Sequence, residues 1–119
     1  MNSGIKLWKE AIKIIPGGNS ILSKRPERYL PDLWPTYFKK AKGIHIWDLD
    51  GNKYMDMAQM GIGSSILGYS NAEVNKAVSI AIKEGISTTL NSKDEFILAK
   101  KLLKLNKGFS SVKFARSGG

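Results

Sequence analysis

The sequence predicts an α/β chain, read over these 119 residues as an α+β order of helix, hairpin, helix, helix and strand. Three observations carry this. Apolar residues recur at three- and four-residue intervals in three separate stretches, which places them on one face of a helix each time. Between the first and second of these lies "GIHIWDLDGNKYMDM", two short runs around Asp50-Gly51, a strong hairpin-turn signal. Near its end the chain runs through "SSVKFA", where Val112, Phe114 and Ala115 alternate poorly, as in a strand buried on both faces within a parallel sheet.

Taken in order, the first helix is expected over residues 4 to 15, with Trp8, Ala11, Ile12 and Ile15 on one stripe and Ser3 as its N-cap. "PGG" at 16 to 18 ends it, because proline cannot continue a helix and glycine permits left-handed geometry. Residues 19 to 37 contain Pro26, Pro31 and Pro35 without a sustained period, which predicts an irregular connection. The hairpin follows, and then "MGIGSSILGYS" at 60 to 70, a loop of small and apolar residues. Ser70 and Glu73 have capping-box spacing ahead of a helix that turns Val74, Ala77, Val78, Ala81 and Ile82 inward and stops at Gly85. Ser92 and Glu95 repeat the device ahead of Phe96, Ala99, Leu102 and Leu103.

Composition narrows the function. The chain carries a formal net charge of +9, so an anionic ligand or surface is electrostatically favoured. Its lysines are spread along the sequence and no basic run is interleaved with aromatics, which argues against nucleic acid. No apolar run reaches the roughly 20 residues that span a bilayer, and the N-terminal stretch lacks a signal-peptide core, so no membrane partner and a cytoplasmic location are expected. There is no cysteine, hence no disulfide or thiolate site. "DLDGN" has the look of a calcium loop, but counting from Asp48 the sixth and twelfth positions hold Lys53 and Gln59 where glycine and glutamate are required. His45 is the single histidine and is expected to face solvent on the hairpin, so no metal site is expected. Asp48, Asp50 and Asp56 read as turn and strand-end residues, and Trp8, Trp34 and Trp47 as core or interface anchors.

In series, "WKEAIKIIPGGNS", "GIHIWDLDGNKYMDM", "ILGYSNAEVNKAV" and "VKFARSGG" resemble the class III aminotransferases, enzymes of fold type I that use pyridoxal 5'-phosphate (PLP), and among them the glutamate-semialdehyde aminomutases. The resemblance runs from about residue 7 to 119. It implies an N-terminal small-domain segment over 1–108, and over 109–119 the first strand and phosphate-cup turn of a large PLP-binding domain. It also implies that the sequence is cut at the rim of that cup. Ser117, Gly118 and Gly119 are then the cofactor-binding residues. The physics agrees, since a glycine-rich strand-to-helix turn aims backbone N–H groups at an anion and the helix dipole adds to the attraction. The chemistry needs a Schiff-base lysine and an acid paired with the pyridinium nitrogen. The resemblance places both beyond residue 119, so no catalytic residue is assigned here and Lys100 and Lys101 are read as helix-surface residues. The implied partners are a small amino or keto substrate and a second copy of the chain.

Two departures from the family pattern bear on substrate. Where the aminomutases carry an arginine for the substrate carboxylate, this sequence has Ser23, with Arg25 two residues on. Where an aromatic residue is usual before the central glycine loop, it has Met60, which packs adaptively but does not stack like an aromatic ring. Ser20, Ser23 and Met60 are therefore the candidate substrate-side residues. Three readings follow: an aminotransferase or aminomutase fragment, a glutamate-1-semialdehyde 2,1-aminomutase proper, or a basic binding module without chemistry.

Overall fold

A computed structural model describes residues 2–115 and divides the chain into two compact units, Met1–Ile80 and Ala81–Gly119. The first unit begins with helix α1, Ser3–Ile14, whose buried side is formed by Gly4, Ile5, Trp8 and Ala11. Ile12 and Ile15, expected on that stripe, are exposed. Gly18 packs on the Trp8 ring and Thr36 approaches Gly4, both on the buried side, which is narrower than the apolar stripe. The cap also differs from expectation. Asn2 is the N-cap, its Oδ1 accepting from the Ile5 amide at 2.8 Å. Ser3 is already helical, and its free amide and hydroxyl both donate to the Asp50 carboxylate, the amide at 2.8 Å. A carboxylate placed there meets an orphan N–H and the positive end of the helix dipole together.

The predicted hairpin is present as β2, His45–Asp48, and β3, Lys53–Met55, antiparallel with His45 opposite Met55 and Trp47 opposite Lys53. A further strand, β1, Phe38–Lys42, pairs antiparallel with β2, so the sheet has the order β1-β2-β3. The register slips between Phe38 and Lys40, which bends the start of β1.

Asp48 organises the turn. It is buried, and its carboxylate accepts from the Asp50 amide at 3.0 Å, the Asn52 amide at 2.8 Å, Asn52 Nδ2 at 3.0 Å and the Tyr54 hydroxyl at 3.0 Å. Four donors satisfy the charge that burial would otherwise penalise. The Asn52 side chain above all, with the Asn52, Tyr54 and Asp50 donors, holds Asp48 below its ordinary value. The Ser3 hydroxyl, then the Ser3 amide, does the same for Asp50. A carboxyl with a depressed native pKa contributes stability that is present above its unfolded pKa and is lost as pH falls through the lowered native value. The urea midpoint is therefore expected to change little from neutral pH to about pH 5 and to fall below about pH 4. Asp48→Asn should flatten that acid limb, and a limb of unchanged steepness in the variant would remove Asp48 as its cause.

Helix α2, Ala72–Glu84, starts one residue later than a Ser70 cap would require. Asn71 Oδ1 accepts from the Glu73 and Val74 amides, each at 3.1 Å. Ser70 takes a left-handed φ of 54° and accepts from Asn75 Nδ2 instead. Asparagine competes well for the cap, and Ser70, one residue too early, is left to the turn. Gly85 ends α2 as expected, its amide donating to the Ala81 carbonyl at 3.1 Å.

In the second unit α3, Lys93–Leu105, is capped by Ser92, whose Oγ accepts from the Asp94 amide at 3.2 Å. Among the described residues neither α2 nor α3 has a buried residue, and Val78, Ile82 and Phe96 from the expected inward faces are exposed. Residues 110–115, expected in a strand, form none. Extended chain becomes a strand only by hydrogen-bonding to a neighbour, and the described residues supply none.

Candidate functional site

The sequence candidates fall on two loops of the first unit. The first loop leaves α1 through Pro16, Gly17 and Gly18. The Trp8 ring lies against Gly18, where a Cβ would come within 2.3 Å of it, and its indole N–H donates to Glu27 at 2.6 Å. The Arg25 guanidinium lies against Gly17, where a Cβ would sit 2.0 Å from Nη2. Its Nε is buried without a hydrogen-bond partner among the described residues. Two short 3-10 turns, Leu22–Lys24 and Pro26–Arg28, complete the expected irregular segment. Ser20 and Ser23 are exposed on it, and the Ser23 carbonyl accepts from the Tyr29 hydroxyl at 2.7 Å. Tyr29 stacks on Trp34 at 4.4 Å, which stiffens the path.

The second loop begins at Met60, half-buried, with a 3-10 turn over Met60–Gly63. Inside it Gly61 and Ile62 take φ of 58° and 54° in succession. A β-branched residue in the left-handed region is strained, and such strain gathers at ligand clamps and switch segments. Ser64 Oγ donates to the Gly61 carbonyl at 2.6 Å and the Ser65 amide to the Met60 carbonyl at 3.3 Å, which hold the turn shut. The loop is then stitched to the sheet. Gly43 and Tyr69 form an isolated antiparallel bridge, donating to each other's carbonyls at 2.8 and 2.9 Å. The Tyr69 hydroxyl donates to Asp56 at 2.6 Å. That hydrogen bond to a carboxylate, with burial second, pushes the phenol up to about 12, so Tyr69 is a donor and not a base near neutrality.

This stitching leaves a shallow groove of about 440 Å³ beside the sheet, with Lys42, His45, Trp47, Tyr69 and Asn71 among its walls. None of Ser20, Ser23 and Met60 lines it. Ser20 and Ser23 share the first loop and Met60 stands on the second, and no hydrogen bond among the described residues joins the pair to Met60. His45, expected to face solvent, is half-buried, because β1 pairs its Lys42 opposite it and the 60–70 loop returns alongside. Sequence reasoning missed Ile62 and this groove. Adjacent positive-φ residues leave no signal when one of them is isoleucine, and the groove exists only through the Gly43–Tyr69 bridge. Ser117, Gly118 and Gly119 lie outside the described residues. Every lysine among the described residues is exposed.

Comparison with known proteins is consistent across three kinds of match. The family model for class-III aminotransferases matches residues 30–119. The chain is 36% identical over 113 residues to the glutamate-1-semialdehyde 2,1-aminomutase of Francisella philomiragia, covering 94% of this chain and 25% of that protein. It is 37% identical over 117 residues to the enzyme of the same name from Thermoplasma volcanium, covering 98% and 26%. In structure it resembles the PLP internal aldimine form of the FumI protein of Sphingopyxis sp. MTA144, with a TM-score of 0.82 and 28% identity over 95% of this chain and 27% of that one. The fold also matches an omega-transaminase from Sphaerobacter thermophilus, with a TM-score of 0.74 at 24% identity over 87% and 22%. The chain thus spans about a quarter of the length of the curated relatives it matches. With a family match over residues 30–119 and a shared fold, the chain belongs to the class-III aminotransferase family.

Proposed function

We propose that this chain forms the N-terminal part of a PLP-dependent aminotransferase or aminomutase acting on a small amino or keto substrate, cytoplasmic and homodimeric in its complete form. The observation that carries the reading is the fold match at a TM-score of 0.82 to a protein captured in its PLP internal aldimine form, within the matched family. Bound PLP supplies an electron sink for the bonds at the substrate's amino-bearing carbon.

The donor chemistry of the sequence Ser117-Gly118-Gly119 suits that group. A serine hydroxyl followed by two glycines offers a side-chain donor and main-chain N–H groups that a dianionic phosphate can approach without a Cβ in the way. Ser117, Gly118 and Gly119 would hold the phosphate, as the opening of the 109–119 segment of the large domain. Ser20, Ser23 and Met60 would face the substrate from the two loops. Residues 16–34 are braced by Trp8, which bonds Glu27 and packs on Gly18, and internally by Arg25 on Gly17, which suits a loop that must hold its shape against a ligand. No lysine among the described residues is buried, so none has the enclosed setting that suits a Schiff-base anchor. The anchoring lysine is therefore expected downstream.

Gly118→Val in the complete protein is the test. A β-branched side chain at the cup should block backbone approach to the phosphate and weaken PLP retention by at least tenfold, about 1.4 kcal/mol, with the far-ultraviolet circular dichroism kept. Unchanged PLP affinity in an intact fold would remove Gly118 from the site. Borohydride reduction and peptide mapping of the complete protein checks the class separately: a pyridoxyl-lysine is expected beyond residue 119, and one at a unique lysine within it would overturn the assignment.

A further inference from the structure

The hairpin tip carries a reactive dipeptide whose two reacting groups are both held. Asp50 and Gly51 are exposed, and nothing lies within 4 Å of where a Gly51 Cβ would sit. Glycine at 51 thus puts no side chain beside the amide nitrogen that the preceding aspartate would meet. Against this, both oxygens of the Asp50 carboxylate accept from Ser3, and the Gly51 N–H donates to the Asp48 carbonyl at 3.2 Å.

We propose that Asp50-Gly51 is a site of spontaneous aspartate isomerisation, and that docking of α1 through Ser3 is what suppresses it. In the step, the Gly51 amide nitrogen attacks Asp50 Cγ in its carboxylic acid form. The N–Cγ bond forms, the amide proton and the carboxyl hydroxyl leave as water, and a five-membered succinimide results. Water then opens the ring at either carbonyl, returning aspartate or giving the β-linked isomer. Mass is restored, and nothing is oxidised or reduced.

Ser3 opposes this in two ways. It fixes the carboxylate at the α1 N-terminus through both oxygens. It also favours the ionised form, a poor electrophile because an oxide would have to leave. Of the neighbouring charges, Lys6 works in the same direction and Asp48 against it. The β-linked product lengthens the main chain by one methylene and shortens the side chain by one. The carboxylate can then no longer span both Ser3 donors, and the turn no longer fits the Trp47–Lys53 register. The modification would therefore release α1 from the sheet and keep the contact from re-forming.

The protein is incubated at neutral pH and 37 °C, and β-linked aspartate at residue 50 is followed by peptide mapping. Ser3→Ala should accumulate it about tenfold faster than wild type, as expected for losing charge-assisted hydrogen bonds. Ser3→Thr should restore the slow rate, and Gly51→Ala should suppress the reaction by crowding the nucleophile. A synthetic peptide of residues 45–55, which lacks Ser3, sets the unguarded rate. Equal rates in wild type and Ser3→Ala would overturn the proposal. So would a wild-type rate equal to the peptide's, which remains readable if Ser3→Ala does not fold.

Discussion

Gly18→Val is expected to lower the stability of the Met1–Ile80 unit by about 3–5 kcal/mol, enough to unfold a marginal domain. Two costs combine at this residue. Its φ of 75° is one that a β-branched residue adopts only under strain, at about 1–2 kcal/mol. In addition, a Cβ would come within 2.3 Å of the Trp8 ring, which is 5% exposed and anchored to Glu27 through its indole N–H. The ring cannot retreat without giving up that bond and opening the small core of Ile5, Trp8 and Ala11. Gly51→Ala separates the two costs. Gly51 has a φ of 87° but open space around its missing Cβ, so only the backbone term of about 1 kcal/mol should appear. Urea unfolding followed by tryptophan fluorescence measures both. Similar losses for the two variants would mean that the packing of Trp8 on Gly18 contributes nothing.

The complete enzyme is expected to convert glutamate semialdehyde about a hundredfold less well than an aminomutase bearing the substrate arginine. Ser23 stands where the resemblance to aminomutases calls for that arginine, and Met60 where it calls for an aromatic ring. A lost charge-assisted contact to a substrate carboxylate costs about 2–4 kcal/mol, and each 1.36 kcal/mol is tenfold in rate. Arg25, two residues on, does not compensate as it stands, because its guanidinium is packed on Gly17 with Nε buried. Recruiting it would require that packing to open. The measurement is kcat/KM for aminolevulinate formation in wild type and Ser23→Arg, with a rise expected in the variant. Efficient conversion by wild type, as its 36–37% identity to proteins named as aminomutases invites, would reject the inference. Arg25→Ala would then show whether Arg25 carries the role.

Local chemistry made much of this chain legible in its sequence. α1 stops just before Pro16-Gly17-Gly18 and α2 just before Gly85 because those backbones admit few alternatives, and the hairpin turns at Asp50-Gly51 for the same reason. Four motifs in their order and spacing, none decisive alone, point to the family. Tertiary structure decided what depends on which groups meet. Ser3 looked like a cap and became a donor to Asp50, some 47 residues away, because Asn2 was one position better placed to close the helix. Ser70 yielded to Asn71 on the same ground. Phe38–Lys42 became a strand only because β2 offered it a hydrogen-bonded edge, whereas residues 110–115 found none among the described residues. His45 entered a groove because the Gly43–Tyr69 bridge folds a distant loop beside it. Periodicity and turn residues report the backbone's local preferences, but capping competition, strand pairing and burial are settled between residues far apart in the chain, where no short window of sequence can see both partners.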